Sequence, residues 1–157
     1  MDSISRKAPG VYAAKLLKDI CLLYENVHQL TKMTLKIGII GTNFISDDFC
    51  DAAAQVDGIE LYAVYSRSAD TGNHFAERHN IPTVFTDYEQ FLDSPIDAVY
   101  VASPNFAHCS QSIKAMEKKK HVLCEKVMAS NEQEALSMIE CAKKNHVVLL
   151  EAMRPDF

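Results

Sequence analysis

The sequence has no tryptophan and no surplus of positive charge: 16 Lys and Arg stand against 21 Asp and Glu, a formal net charge of −5. Proteins that hold nucleic acid through a general electrostatic field display a basic surface, so this balance argues against that class and leaves room only for a local cationic pocket. Long apolar runs are also missing. None approaches the roughly 20 residues needed to cross a bilayer, and no membrane span is expected. The five cysteines, Cys21, Cys50, Cys109, Cys124 and Cys141, are odd in number and widely spaced in apolar segments. That indicates neither a disulfide framework nor a CxxC zinc site, and reads as buried thiols of a reducing cytoplasm. The histidines show neither HxxxH nor HExxH spacing, so no metal is expected. Arg6 and Lys7 could open a signal peptide, but Lys15, Lys18 and Asp19 interrupt its apolar core. No export signal is read, and the expected location is cytoplasmic.

What is present is the balance of an ordinary globular domain, with 48% hydrophobic and 24% charged residues. A chain of this length buries roughly 68–70% of its unfolded surface, enough for one real core. From Leu35 onward, short apolar runs alternate with longer helical patterns, the signature of βαβ units. Strands are expected at Leu35–Ile40, Ile59–Tyr65, Thr83–Phe85, Ala98–Ala102, His121–Cys124 and Val147–Glu151. Helices are expected at Phe44–Gln55, Ala69–His79, Tyr88–Leu92, Ala107–Lys118 and Asn131–Asn145. Runs such as Ile37–Ile40 and Val147–Leu150 are apolar without alternation, as strands covered on both faces are. The fold class is therefore α/β, a doubly wound parallel sheet. Ser130 with Gln133 three positions later resembles a capping box for the last helix. Before Met33, the spacing of Ala13, Leu16, Leu17, Ile20, Leu23, Tyr24, Val27 and Leu30 predicts an extra amphipathic helix over Val11–Leu30. Residues 1–32 are thus read as a helical extension and residues 33–157 as the main domain.

A dinucleotide site needs a tight turn whose backbone N–H groups approach a pyrophosphate at a helix N-terminus. Lys36–Ser46 runs from a strand into a helix at the first βαβ unit, which is where such a turn belongs. Gly41 supplies the first glycine of G-x-G-x-x-G. Asn43 and Ser46 occupy the second and third positions, the one tolerant of left-handed backbone, the other small enough for close packing. Gly41, Thr42, Asn43, Phe44 and Ile45 are the expected phosphate-side contacts.

Two further stretches carry a family resemblance. Ser103-Pro104-Asn105-Phe106-Ala107-His108 resembles Thr/Ser-Pro-Asn-x-x-His, and Lys120-His121-Val122-Leu123-Cys124-Glu125-Lys126 resembles Gly-Lys-His-Val-x-x-Glu-Lys-Pro. With their order and spacing, these identify roughly Thr34–Arg154 as similar to the nucleotide-binding Rossmann-type domain of the glucose-fructose oxidoreductase/inositol dehydrogenase/rhizopine catabolism family, dihydrodiol dehydrogenases included. Three positions depart from its pattern: Asn43 for the second glycine, Lys119 for the glycine before Lys-His-Val, and Val127 for the proline after Glu-Lys.

The resemblance implies an NAD(P)-dependent oxidoreductase acting on a sugar, polyol or dihydrodiol. It makes Lys126 the catalytic group, with Glu125 orienting it or binding the cofactor ribose. Ser103, Pro104, Asn105 and His108 would lie along the nicotinamide half, with Asn105 either a ribose ligand or an ordinary N-cap, and His108 either structural or catalytic. At the tip of the second strand, Tyr65-Ser66-Arg67-Ser68 lacks the carboxylate that binds a ribose 2′-hydroxyl, and Arg67 with Ser66 suits a 2′-phosphate. NADP is therefore expected over NAD, the alternative being an arginine stacked on adenine that serves either cofactor. The family's substrate domain is expected to be absent from this chain, which makes the isolated chain catalytically incomplete and places its carbohydrate-like substrate against a missing partner domain. The alternatives are a non-catalytic dinucleotide-binding or regulatory module, a truncated gene product, and an interaction protein that forms a homo-oligomer through Val11–Leu30.

Overall fold

The computed structural model describes residues 34–153 and Lys18. The helix expected over Val11–Leu30 lies outside them, apart from Lys18 itself, which is helical and exposed. From Leu35 the elements are β1 (Leu35–Ile40), α1 (Phe44–Ala53), β2 (Ile59–Tyr65), α2 (Ala69–His79), β3 (Thr83–Phe85) and α3 (Tyr88–Asp93). They continue with β4 (Ala98–Val101), α4 (Asn105–Glu117), β5 (His121–Glu125), α5 (Glu132–Asn145) and β6 (Leu149–Ala152). The strands form one parallel sheet in the order β3-β2-β1-β4-β5-β6. This is the doubly wound sheet that the alternation of runs implies.

A parallel sheet needs cover on both faces, and the period-two alternation of its side chains builds two cores. On the first face Leu35, Ile37, Ile39, Tyr100 and Leu123 pack with Phe49 of α1 and Phe75 of α2. On the second, Val99, Val101, Val122 and Cys124 pack with Phe91 of α3, Met116 of α4 and Met138 of α5. Each fully buried side chain of this size contributes about 1.5–3 kcal/mol. Because the chain winds outward from β1 to β3 and then returns through α3 to β4, β1 and β4 are neighbours whose connections leave in opposite directions. Their carboxyl ends therefore frame the crevice where open α/β sheets bind ligands.

Several element ends differ from the expected ones, each for a local reason. α5 is capped by Asn131, whose Oδ1 accepts from the Glu134 N–H at 2.9 Å, while Glu134 Oε2 accepts from the Ser130 N–H at 2.8 Å. The cap is Asn131 rather than Ser130, and the returning side chain is Glu134 rather than Gln133, reaching the Ser130 N–H one residue before the cap; a carboxylate in the first turn also complements the positive helix end. α4 begins at Asn105, with Pro104 in the cap position and no side-chain cap bond. Asn105 is therefore a helical residue, and its N-cap reading falls. β6 starts two residues late because His146 turns left-handed and the Val147 N–H returns to Ala142 O at 3.1 Å, drawing Val147 into the helix end.

Of the four cysteines described, Cys50 and Cys124 are buried, and burial pushes both thiols up to about 12. Cys109 and Cys141 are only half-buried, contrary to expectation. They line the seam between α4 and α5, where their Sγ atoms donate to Glu134 O and Ile113 O.

Candidate dinucleotide site at the carboxyl ends of the strands

The turn after β1 is set by Gly41, whose φ of +101° disfavours any side chain. A Cβ there would also lie 2.6 Å from Ala102 O, so the turn can sit against the end of β4 only as glycine. Asn43 follows as the N-cap of α1. Its backbone is extended, at φ −90° and ψ 177°, so the left-handed conformation expected of it is not used. What the turn takes from Asn43 is its carboxamide. Oδ1 accepts from the Ile45 and Ser46 N–H groups at 3.0 and 3.2 Å, and Nδ2 donates to Ala102 O at 2.7 Å. Ser46 is fully buried, as a small third fingerprint residue should be. The N–H groups of Thr42, Asn43 and Phe44 have no acceptor among the described residues. Lying at a helix N-terminus, they fit a pyrophosphate.

At the tip of β2, Ser66 is nearly buried and its Oγ accepts from the Ser68 N–H at 3.3 Å. Its Cβ is also the surface that Gly72 of α2 packs against. Ser68 caps α2, accepting from the Thr71 N–H. Arg67 is exposed between them and forms no ion pair among the described residues. The tip thus presents one cation, while both flanking serines are engaged in shaping the turn.

After β4, Ser103 Oγ donates to Gln111 Oε1 at 2.5 Å, and Pro104 and Asn105 are exposed. His108 is not on this surface. It is 1% exposed, with Nε2 2.7 Å from Ser103 O and Nδ1 2.9 Å from Val127 O. Both ring nitrogens are spent on backbone, so its side chain is a strut between two loops rather than a wall of the crevice.

The loop after β5 is held at successive residues. Glu125 Oε1 accepts from Tyr100 OH at 2.6 Å and Oε2 from the Lys126 N–H at 3.3 Å. Val127 O meets His108, and the Met128 N–H donates to Glu151 Oε1 at 2.8 Å. The Lys126–Val127 peptide bond is cis. Lys126 itself is exposed. Side chains from β4, α4 and β6 therefore tie its neighbours Glu125, Val127 and Met128, while the Lys126 side chain is held by none of them. Lys119, where the family pattern has glycine, takes a positive φ of 62°, the conformation glycine adopts most readily.

Residues 35–153 match the family model described as an oxidoreductase family with an NAD-binding Rossmann fold, that of glucose-fructose oxidoreductase, inositol dehydrogenase and the rhizopine catabolism protein. The chain belongs to this family. Among similar proteins is scyllo-inositol 2-dehydrogenase (NADP(+)) IolU of Bacillus subtilis (strain 168), 48% identical over 124 residues, or 78% of this chain and 38% of the relative. Trans-1,2-dihydrobenzene-1,2-diol dehydrogenase of Danio rerio is 36% identical over 128 residues, 80% of this chain and 38% of the relative. Among solved structures, KijD10, a 3-ketoreductase from Actinomadura kijaniata in complex with NADP and TDP-benzene, superposes with a TM-score of 0.72 at 28% identity. That match covers 75% of this chain and 37% of the other. The chain spans less than two fifths of each of these proteins.

As a glucose-fructose oxidoreductase family domain, the chain also carries site residues that sequence reasoning did not single out. Tyr100 and Glu151 tie down the lysine loop, and Gln111 ties down Ser103. Their signals were present but faint. Tyr100 is a phenol inside an apolar strand, where its hydroxyl needs a partner. Glu151 is a carboxylate at the end of an otherwise apolar run. Among the described residues no group of three or more His, Cys, Asp or Glu side chains is placed to hold a metal, and no helix is long and apolar enough to cross a membrane.

Proposed function

We propose that this chain is the cofactor-binding half of an NADP(H)-dependent oxidoreductase acting on the hydroxyl/carbonyl pair of a sugar, polyol or dihydrodiol. The observation that carries the reading is the arrangement around Lys126, an exposed residue whose neighbours Glu125, Val127 and Met128 are each held by a side chain from a different element. Family membership supports it. So do the printed names of the inositol and dihydrodiol dehydrogenases to which the chain is similar.

A bound nicotinamide would supply or accept the hydride. The protein residues would do the rest: the Gly41–Phe44 turn would hold the pyrophosphate, Asn105 and Glu125 would meet the nicotinamide ribose, and Ser103 and Pro104 would line that half of the crevice. Lys126 donates to the substrate oxygen, stabilising the developing alkoxide or passing it a proton. Arg67 pairs with the 2′-phosphate, a charge-assisted contact that NAD does not offer. The NADP in the names of the Bacillus relative and of the KijD10 complex supports the same choice.

Hydride transfer also requires the substrate carbon to be held against the nicotinamide and water to be excluded. Among the described residues nothing covers Lys126, and Phe44, Phe106, Val127 and Met153 are exposed at the same end of the sheet. That apolar rim fits cover by the cofactor and by a substrate domain outside these residues. The test is to incubate the 157-residue chain with oxidised and reduced cofactor and a panel of sugars, polyols and dihydrodiols. Saturable cofactor binding without turnover is expected. Turnover at enzyme-like rates would show instead that the chain contains a complete catalytic site.

A further inference from the structure

We propose that His108 is a positioning residue that couples the two loops of the nicotinamide half and thereby sets the distance between Asn105 and Lys126. The inference rests on the proposed function of the site and assigns His108 a role in it without contact to the cofactor.

The geometry is a chain of short contacts through the crevice floor. The Asn43 carboxamide holds Ala102 O, and the next residue, Ser103, presents its carbonyl to His108 Nε2 at 2.7 Å. His108 Nδ1 then reaches Val127 O at 2.9 Å, one residue past Lys126. The phosphate turn, the Ser103–Asn105 loop and the lysine loop are thus joined in series, with the imidazole lying between backbone carbonyls of both nicotinamide-side loops. Carbonyl oxygens accept only, and a neutral imidazole carries one N–H, so the ring donates to one loop in each tautomer and to both when protonated. Burial to 1% exposure excludes water as a substitute for either contact. A side chain placed only for packing would not need a polar atom at each end. Shorter side chains cannot span both carbonyls.

This arrangement makes a half-site prediction. Losing His108 frees the lysine loop and the Ser103–Asn105 loop relative to each other, which weakens binding of the nicotinamide half. The phosphate turn and the tip carrying Arg67 are shaped by Gly41, Asn43 and Ser66, whereas the hydrogen bonds of the ring go to Ser103 O and Val127 O. The experiment titrates NADPH and adenosine 2′,5′-bisphosphate, which carries only the adenine half, into the full chain and its His108→Ala and His108→Gln variants. The wild type is expected to bind both ligands. His108→Ala should raise the Kd for NADPH about tenfold or more, the scale of a buried carbonyl left unpaired. The Kd for the bisphosphate should change by less than about twofold. His108→Gln, which keeps volume and one donor, should show the same inequality to a smaller degree.

Equal loss of both ligands, or loss of neither, overturns the inference and makes His108 a packing residue. Should neither variant fold, nitrogen NMR of the wild-type His108 ring decides. A shift on adding NADPH but not the bisphosphate supports the coupling, and a shift with both or with neither overturns it. A wild-type chain that binds neither ligand overturns the proposed function, and this inference with it.

Discussion

Asn43 Nδ2 donates to Ala102 O at 2.7 Å, so the turn after β1 is fastened to the end of β4 by the residue that stands where the family's fingerprint has glycine. The same carboxamide caps α1 through Ile45 and Ser46. A glycine in this position leaves room for a pyrophosphate, whereas asparagine trades some of that room for three hydrogen bonds. Asn43→Ala should therefore destabilise the chain by about 1–2 kcal/mol, from the lost cap and the lost tie. Thermal unfolding checks this, with a fall in Tm of roughly 2–4 °C per kcal/mol expected for a chain of this size. An unchanged Tm would mean that the cap does not form in solution.

Lys119 offers a change in the other direction. Its φ of 62° puts an L side chain in the left-handed region, which costs roughly 1–2 kcal/mol. Lys119→Gly removes that cost, offset by the extra freedom of glycine in the unfolded chain and by loss of the Lys119 Nζ bond to Asn145 Oδ1. The expected net is a gain of about 0.5–1 kcal/mol, read as a higher urea midpoint at constant slope. A lower midpoint would contradict the assigned backbone conformation.

Between α1 and α2, Asp47 Oδ1 meets His79 Nε2 and Arg78 Nη2, each at 2.6 Å. Burial alone would raise this carboxyl, but the hydrogen bonds from His79 and Arg78 outweigh it and hold the group below its ordinary value of 3.8. A depressed folded pKa contributes stability that is present above the unfolded value and is lost as pH falls through the folded one. Asp47→Asn should therefore lower stability at neutral pH by about 1 kcal/mol or less, because solvent screens the half-exposed Arg78. The difference from wild type should shrink as the pH falls from the ordinary value of 3.8 through the lower folded one, because the wild-type carboxyl is then protonated too. A difference independent of pH would remove charge as its cause.

For Lys126, the chemistry and the binding should separate. In a two-domain protein carrying this domain, Lys126→Met is expected to lower turnover roughly 100- to 10,000-fold, the range of a lost general acid or base. Cofactor Kd should move by less than about threefold, since the ammonium interacts mainly with the transition state. Stopped-flow hydride transfer together with fluorescence titration measures both. Comparable losses in each would make Lys126 a cofactor ligand instead.

Much of this domain was legible in its sequence. The six strands follow from apolar runs bounded by turns, and Gly41, Ser103–Asn105 and Glu125–Lys126 stand out because their order fits one family's motifs. Element ends were less legible, since neighbouring caps compete: Asn131 wins over Ser130, and His146 draws Val147 into the end of α5. The supports of the site were hidden for a different reason. Tyr100, Glu151 and His108 act across 25, 23 and 19 residues of sequence, on Glu125, Met128 and Val127, and no local pattern records such pairings. The burial of His108 in particular could not be read from a lone histidine after Pro-Asn.

The most direct test of the account is calorimetric titration of the purified chain with NADPH and NADH, repeated with Arg67→Ala. Saturable binding of NADPH, weaker binding of NADH, and a loss of about tenfold or more for NADPH alone when Arg67 is removed are the expected results, as for a charge-assisted phosphate contact. Equal or tighter binding of NADH by the wild type would contradict the assignment of Arg67. The absence of saturable binding for either cofactor would contradict the assignment of the site.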